Sequence, residues 1–372
     1  MSQTKITTAN TTVGTATGAP GQKPERRPAS RILQFIIPLV VSVGLCLAMF
    51  RDIDFHSMVE VIRHECNFWW IGLMLAISFL AIIFRALRWG IQLRAVGIRP
   101  PLRALIYSIV GTYAVNLVFP RLGEVWRTGY IAYREQSPFS TVFGTMIADR
   151  FADLLTVAIL TTATFVIARD PLVAFVRTYP QAYNAMLDLA TSPFTWSALL
   201  IIATAIWLLL TRSKNRHILG LKHFLSGIWQ GFAAIARMKG KFRWLLLTLC
   251  IWSAYFISFA VAFNAFPMTR QLIHSNGLAL PLVCFVLTSI SMGIPSNGGI
   301  GPYQTTLLFG LLLFLPAGAD ATQFKTVGAA FGNVMIAAQT LMFILLGLIT
   351  FALIALGKRQ KDKRYKDERQ KR

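Results

Sequence analysis

The chain has 372 residues, of which 55% are hydrophobic and only 14% are charged, and its formal net charge is +22. A soluble domain carries about 25% charged residues, so this composition excludes an ordinary water-soluble enzyme and indicates an integral membrane protein. The basic residues lie in patches beside hydrophobic segments, so the positive charge does not require nucleic acid as a partner.

Long hydrophobic segments fill most of the chain, and most of them are near the ~20 residues that a helix needs to span a bilayer. There are nine, over residues 32–50, 68–84, 102–119, 140–168, 196–211, 244–266, 278–294, 300–316 and 327–356. Residues 1–30 are rich in Thr, Gly, Ala and Pro and are expected to be disordered. The sequence therefore predicts an all-α polytopic membrane protein with about 6–8 transmembrane helices.

The basic residues predict the topology. They concentrate at the end of the N-terminal tail and over residues 85–103, 211–243 and 358–372. The positive-inside rule places these regions in the cytoplasm, which puts both termini there and requires an even number of crossings. Segment 102–119 has arginines on both sides, so residues 102–135 are predicted to form a re-entrant hairpin rather than a crossing.

A second hairpin is predicted from segments 278–294 and 300–316, which would open from the outer face. The stretch 291–308, where the two segments meet, contains Asn297 together with two prolines and three glycines, namely Pro295, Pro302, Gly298, Gly299 and Gly301. Two broken-helix hairpins of opposite orientation are typical of inverted-repeat transporters, whose substrate sites lie near the membrane midplane. No residue-by-residue repeat is visible, so the possible inverted repeat rests on topology alone.

The predicted domains are a disordered cytoplasmic tail (1–30), a transmembrane domain (31–357) and a basic cytoplasmic tail (358–372), in a multi-pass protein of the inner cell membrane. Within the transmembrane domain, residues 216–240 have apolar residues at three- and four-residue spacing and basic residues elsewhere. This pattern predicts either an amphipathic helix on the inner leaflet or an ordinary cytoplasmic connector.

The first polar motif is NLVFPRLGEVWR, residues 116–127. Pro120 cannot continue a helix and Gly123 permits a tight bend, so a new helix is predicted to begin there with Glu124 in its first turn. Arg121 and Arg127 would then lie near a helix N-terminus, which favours anions, and the planar arginine fork suits phosphate. The alternative is a cytoplasmic turn with Arg–Glu pairs.

The second motif is DRFAD, residues 149–153, within an apolar segment. Asp149 and Asp153 are four residues apart and share one helical face, and Arg150 lies beside Asp149. A charged side chain inside a membrane is energetically costly, so its presence indicates a structural or functional role. The two acids are predicted to form an ion-pair brace with Arg121 or Arg127, and a direct substrate or proton role is the alternative.

The third motif is the glycine loop. Gly298, Gly299 and Gly301 would leave backbone N–H groups exposed in a concave nest that favours negative charge. The alternative is that the glycines only permit close helix packing.

Taken in this order, the three motifs resemble the lysylphosphatidylglycerol synthase transmembrane-region family, also described as flippase-like integral membrane proteins. The resemblance covers roughly residues 30–357 and includes the following matches: Asn116, Pro120, Gly123, Glu124, Arg127, Asp149, Arg150, Asp153, Pro295, Gly298, Gly299, Gly301 and Gln304. Asp149 and Gln304 stand where the family usually has Glu, so the second replacement removes a charge. Arg121 lies one place before the usual Arg.

The resemblance implies movement of lipids between leaflets. Family members that make lysyl-lipid carry an additional soluble catalytic domain, which we do not expect here because fifteen residues follow the predicted transmembrane domain (31–357).

The sequence thus predicts a transporter-like protein for a phosphate-bearing (anionic) lipid. Its expected partners are membrane lipids and not nucleic acid. The sequence does not specify which lipid is moved or the oligomeric state. Candidate binding residues are Asn116, Arg121, Glu124, Arg127, Asp149, Arg150, Asp153, Asn297, Gly298, Gly299, Gly301 and Gln304. No catalytic residue, metal or cofactor is predicted, and without a nucleotide-binding motif the movement would be downhill or ion-coupled. The alternatives are a membrane enzyme acting on a phospholipid or polyprenyl-phosphate-linked substrate, and a non-catalytic partner of such an enzyme.

Overall fold

The computed structural model describes residues 55–167, 225–233, 238–294, 299–316 and 318–370, together with Ser296 and a few isolated positions between 188 and 204. The predicted N-terminal tail, the predicted segment 32–50, most of the predicted segment 196–211, and the residues Pro295, Asn297 and Gly298 lie outside the described residues.

The described chain is α-helical and contains no strand within those ranges. Its helices, in chain order, are α1 (Phe55–Glu65), α2 (Phe68–Ala95), α3 (Leu102–Val118), α4 (Leu122–Arg134), α5 (Phe139–Ile167), α6 (Lys241–Ala262), α7 (Pro267–Asn276), α8 (Ala279–Ser291), α9 (Pro302–Leu312) and α10 (Ala321–Gln370). A short 3₁₀ turn, Phe263–Ala265, connects α6 to α7.

Three described helices are long and apolar enough to span a membrane: Phe68–Ala95, Lys241–Ala265 and Ala321–Gly357. A fourth span results if α7 and α8, which bend by 111° at their junction, are counted as one. The protein is therefore a multi-pass membrane protein, whereas the six to eight spans expected from the sequence are not confirmed within the described part. Helix α5 has 29 residues but is not among these candidate spans, and it carries three charged residues, Asp149, Arg150 and Asp153.

Helix α2 continues through the first part of the basic region 85–103 and ends at Ala95. No proline interrupts the chain between residues 84 and 95, and Arg, Ala, Leu and Gln are good helix formers. Arg85 and Arg88 therefore lie inside a helix, and they are only 6% and 0% exposed. The helix ends near Gly97, which adopts a φ of +84°.

Helices α2 and α6 pack against each other in antiparallel orientation. Arg88 on α2 contacts Thr248 on α6, Arg85 contacts Tyr255, and Ser78 contacts Ser258, so residue numbers fall along one helix as they rise along the other. This pairing places a row of polar side chains between the two helices.

Both helix breaks expected from proline and glycine are present. Helix α3 ends at Val118 and α4 begins at Leu122, and the two form an antiparallel pair in which the Trp126 ring lies directly against Gly111. Helix α8 ends at Ser291 and α9 begins at Pro302. In that second pair, Gly310 lies against Cys284.

The described part of the expected amphipathic segment, residues 225–233, is helical and packs against the start of α5. Gly227 lies against Ser140, and Gly231 lies against the backbone of Thr141 and Thr145. Glycines four residues apart permit this close approach of two helices. The remainder of the segment is largely outside the described residues.

Candidate functional site

Seven charged side chains from three helices meet in one cluster. They are Arg85 and Arg88 of α2, Glu124 and Arg127 of α4, and Asp149, Arg150 and Asp153 of α5. The hairpin of α3 and α4 brings Glu124 and Arg127 toward α5, and the unbroken helix α2 presents its two arginines to the same face.

Asp149 is the buried centre of the cluster. Its Oδ1 accepts from Arg88 Nη2 at 2.7 Å and its Oδ2 accepts from Arg127 Nη2 at 3.2 Å, and these three side chains are at most 1% exposed. The Arg127 guanidinium also lies 3.9 Å from the ring centroid of Trp89. A buried charge without a partner costs several kcal/mol, so these pairs brace α2, α4 and α5 against one another.

Asp153, one helical turn further along α5, contacts three arginines. It accepts from Arg85, and from Arg88 Nη2 at 2.6 Å, and Arg150 Nη1 lies 3.6 Å from its Oδ2. Arg150 also donates to Glu124 Oε1 at 3.2 Å. Every carboxylate of the cluster is therefore already bonded to at least one arginine.

Asn116 connects this cluster to the break between α3 and α4. Its Oδ1 accepts from the Gly123 amide at 2.8 Å, and its Nδ2 lies 3.5 Å from Glu124 Oε2. A side chain at position 123 would collide with Thr112 and Asn116, so glycine is required for this close approach.

The cluster holds four arginines and three carboxylates, which leaves one positive charge without a counterpart among the described residues. The Nε atoms of Arg85, Arg88, Arg127 and Arg150 are buried without a hydrogen-bond partner in the same part of the chain. Buried polar groups are normally satisfied. The cluster therefore favours an additional anion.

A cavity of about 490 Å³ opens beside the cluster. Its polar wall includes Arg85, Arg121, Glu124, Arg150 and Asp153. Its apolar wall includes Leu117, Leu154, Val157, Phe259, Phe285, Ile294, Ile336 and Phe343. A second, more open hollow of about 470 Å³ lies near Glu65, Asn264 and Arg270 and shares no lining residue with this cavity.

Arg121 bridges the two helix breaks across the cavity. Its Nη2 donates to the carbonyl oxygens of Met292, at 3.2 Å, and Gly293, at 2.5 Å, at the C-terminal end of α8, where a cation is favoured. The expected pair of Arg121 with Asp149 or Asp153 is therefore replaced by contacts to the other hairpin. Arg121 has a left-handed backbone, with a φ of 66°.

The glycine loop differs from the expected row of free amides. The Gly301 amide donates to Gln304 Oε1 at 2.6 Å, and Gln304 Nε2 donates to Asn333 Oδ1 at 3.0 Å. Gly301 is therefore engaged in capping α9 and does not line the cavity. Gly299, with a φ of +87°, does line it.

A family model described as the lysylphosphatidylglycerol synthase transmembrane region matches residues 35–347. The chain belongs to this family. The match contains every residue of the cluster and of the cavity wall. No curated protein and no solved structure matched the chain in two further comparisons.

Within this family member, the candidate residues fall into three sets. Asn116, Arg121, Glu124, Arg150, Asp153 and Gly299 line the cavity. Arg127 and Asp149 lie behind it as the buried brace, and Gly301 and Gln304 cap α9 away from it. No group of three His, Cys, Asp or Glu side chains in the described ranges is placed to hold a metal.

The sequence interpretation missed Arg85 and Arg88, together with the tyrosines Tyr113 and Tyr255 that contact Arg85 at 3.1 and 3.0 Å. A signal was available. Arg85, Arg88 and Gln92 follow at positions i, i+3 and i+7 of an uninterrupted helical pattern, and such positions share one face.

Proposed function

We propose that this protein moves a phosphate-bearing lipid between the leaflets of the inner cell membrane, with the headgroup held in the cavity between the two helix breaks. The observation that carries the proposal is the Arg121 bridge, since the arginine of one break bonds to the carbonyls of the other at the wall of an arginine-lined cavity. The family's description as a membrane region of a lipid synthase supports a lipid as the ligand.

Charge favours a phosphate in this position. Arg121 donates to two neutral carbonyls, whereas a phosphate would add the attraction of opposite charges and could accept from two N–H groups of the guanidinium at once. A phosphate entering the cavity would therefore compete for Arg121 and weaken the contact between the two hairpins. Arg85 and Arg150, which line the same cavity, each keep a buried Nε–H without a partner among the described residues.

Helix length supports hairpins that enter the bilayer and return. Helix α3 has 17 residues, α4 and α8 have 13 each, and α9 has 11. At ~1.5 Å per residue they measure from about 17 to about 25 Å, less than the ~30 Å hydrocarbon core. We place the α3–α4 pair as entering from the cytoplasm, together with both termini, and the α8–α9 pair as entering from the opposite face.

The apolar wall suits the rest of a lipid. Leu154 and Val157 follow Asp153 on α5, and Leu117 follows Asn116 on α3, so a headgroup at the arginines would place its acyl chains along this side. The tails would remain in the bilayer, because apolar surface gains nothing by leaving lipid for water.

The test is a leaflet-resolved assay in proteoliposomes that contain an acyl-labelled phosphatidylglycerol, with loss of fluorescence after addition of a membrane-impermeant quencher as the readout. The wild-type protein should increase the quenchable fraction beyond one half, and Arg121→Gln should reduce the rate at least about tenfold, the effect of losing one charge-assisted hydrogen bond. Arg134→Gln, at an arginine that pairs with Glu135 outside the cavity, is the matched control.

Equal rates in protein-containing and protein-free vesicles would overturn the proposal. The lipid recovered after the assay is also analysed by mass, because a chemically altered lipid would support the membrane-enzyme alternative instead.

A further inference from the structure

The cavity carries a row of hydroxyl groups that leads away from its arginines. The Tyr113 and Tyr255 hydroxyls lie 3.2 Å apart and both accept from Arg85. The Ser78 and Ser258 hydroxyls lie 2.7 Å apart. Ser78 precedes Arg85 by seven residues on α2, so the row extends about 10 Å along the helix.

These hydroxyls retain hydrogen-bonding capacity. In the tyrosine pair one O–H donates to the other oxygen, which leaves the second O–H for a ligand. Ser258 donates to the Met74 carbonyl and Ser78 donates to Ser258, so the serine pair offers acceptor lone pairs. The row can therefore both donate to and accept from hydroxyl groups of a ligand.

Trp252 adds an unsatisfied donor at the same wall. Its indole Nε1 is buried and has no partner among the described residues, and its side chain lines the cavity. The ring packs edge-on against Tyr255 and Phe285. An oxygen atom of a ligand would satisfy the N–H.

The cavity has no free carboxylate that could pair with an ammonium group of a ligand. Its two carboxylates, Asp153 and Glu124, are both bonded to arginines. Arg85, Arg121 and Arg150 outnumber them on the same wall, so an additional cation would be repelled. Unpaired like charge is an effective way to reject a ligand.

We infer that the headgroup taken by this cavity is a phosphodiester that bears a neutral, hydroxylated group, such as glycerol or a sugar, and that amine-bearing headgroups are rejected. The inference rests on the proposed function and specifies its substrate class. The phosphate lies at the arginines, and the hydroxyls follow the tyrosine and serine pairs.

The experiment compares four acyl-labelled lipids in the proteoliposome assay: phosphatidylglycerol, phosphatidylmethanol, phosphatidylethanolamine and phosphatidylcholine. Phosphatidylmethanol has the same single negative charge as phosphatidylglycerol and lacks its hydroxyls, so it isolates their contribution. We expect phosphatidylglycerol to move at least about fivefold faster than phosphatidylmethanol, the effect of about one hydrogen bond, and the two amine lipids to move more slowly than both.

Three variants remove one polar group each without changing charge: Tyr255→Phe, Ser78→Ala and Trp252→Phe. Each should bring the ratio of the phosphatidylglycerol rate to the phosphatidylmethanol rate closer to one. Tyr133→Phe, at an exposed tyrosine outside the cavity, should keep the wild-type ratio. Because both rates are measured on the same protein preparation, the ratio of the two rates does not depend on the fraction of protein that is folded.

The outcomes separate the two proposals. If phosphatidylmethanol or an amine lipid moves as fast as phosphatidylglycerol in the wild type, while Arg121→Gln still stops movement, the headgroup inference is wrong and the proposed function remains. If none of the four lipids moves, both are overturned.

Discussion

Asp149 has both carboxylate oxygens bonded to arginines, at a position that water does not reach. Removing its charge would leave Arg127 buried without a carboxylate partner, while Arg88 would keep only its bond to Asp153. Breaking a buried ion pair by deleting one partner costs about 3–5 kcal/mol, because the other charge remains uncompensated. The residue therefore contributes to stability before any ligand is considered.

We expect Asp149→Asn to lower the free energy of unfolding by about 3–5 kcal/mol, measured by thermal denaturation in detergent. Glu135→Gln makes the same chemical change at the Arg134–Glu135 surface pair, where the loss should be within about 1 kcal/mol. Equal melting of Asp149→Asn and wild type would show that Asp149 does not act as the brace.

Arg121 combines a side chain that joins the two helix breaks with an unfavourable backbone conformation. Its φ of 66° is costly for any residue with a Cβ, by roughly 1–2 kcal/mol, and free of that cost for glycine. Arg121→Gly and Arg121→Ala both remove the contact to Met292 and Gly293, so both should lose lipid movement.

The two variants should differ in stability. We expect Arg121→Gly to unfold at a higher temperature than Arg121→Ala, by an amount equivalent to about 1 kcal/mol. Indistinguishable melting curves would mean that the left-handed conformation is not maintained once the guanidinium is gone.

The charged motifs made part of this site predictable. Asp149, Asp153 and Arg127 stand out because charge inside an apolar segment is costly and needs a partner. Arg85 and Arg88 stood only as members of a basic region, because a count of basic residues near a segment end does not distinguish exposed arginines from buried ones. The hydrogen bond that occupies the Gly301 amide could have been predicted, because Gln304 is at the third helical position after Gly301, as in a capping box.

At the scale of elements, the prolines and glycines predicted the positions of the helix breaks correctly. The ends of the hydrophobic segments predicted the helix ends poorly. Helix α2 runs eleven residues beyond the apolar segment 68–84, because its last three turns present arginines to other helices instead of apolar groups to lipid. Which segments cross the bilayer depends on which other helices each segment packs against, and the hydrophobic periodicity of a single segment does not record those contacts.

The α3–α4 hairpin has a direct topological consequence. Its two outer ends, near residues 99 and 134, lie on the same side of the pair because the helices are antiparallel. We expect Arg99→Cys and Arg134→Cys, both at exposed positions, to react with a membrane-impermeant maleimide from the same face, the cytoplasmic one. Labelling from opposite faces would exclude a hairpin that enters and returns.

The wild-type chain is the background control for this labelling. Burial raises the pKa of the Cys66 thiol to about 11. The thiol is therefore protonated and slow to react at pH 7, and its reaction should accelerate only as the pH approaches 11. Cys284 is buried. Strong labelling of the wild type at pH 7 would require replacing the native cysteines first.

At the scale of the whole molecule, the breaks of two helix pairs that are distant in sequence meet at one cavity. Asn116, Leu117, Arg121 and Glu124 line one side. Met292, Gly293, Ile294, Ser296 and Gly299 line the other, and Arg121 bonds to Met292 and Gly293. Packed helices change between discrete arrangements rather than deforming continuously. The proposed movement of a headgroup past this point would therefore require the two breaks to separate.

A removable tether tests that requirement. Leu122 and Ile294 are exposed neighbours of the bridge on its two sides, and neither substitution removes a charge. We expect Leu122→Cys/Ile294→Cys, joined by a short, cleavable bifunctional thiol reagent, to stop moving lipid and to recover when the tether is cleaved. Each single variant treated with the same reagent should remain active. If the tethered protein moves lipid at its untethered rate, the two breaks stay together throughout the cycle, and the Arg121 contact is a fixed brace rather than a gate.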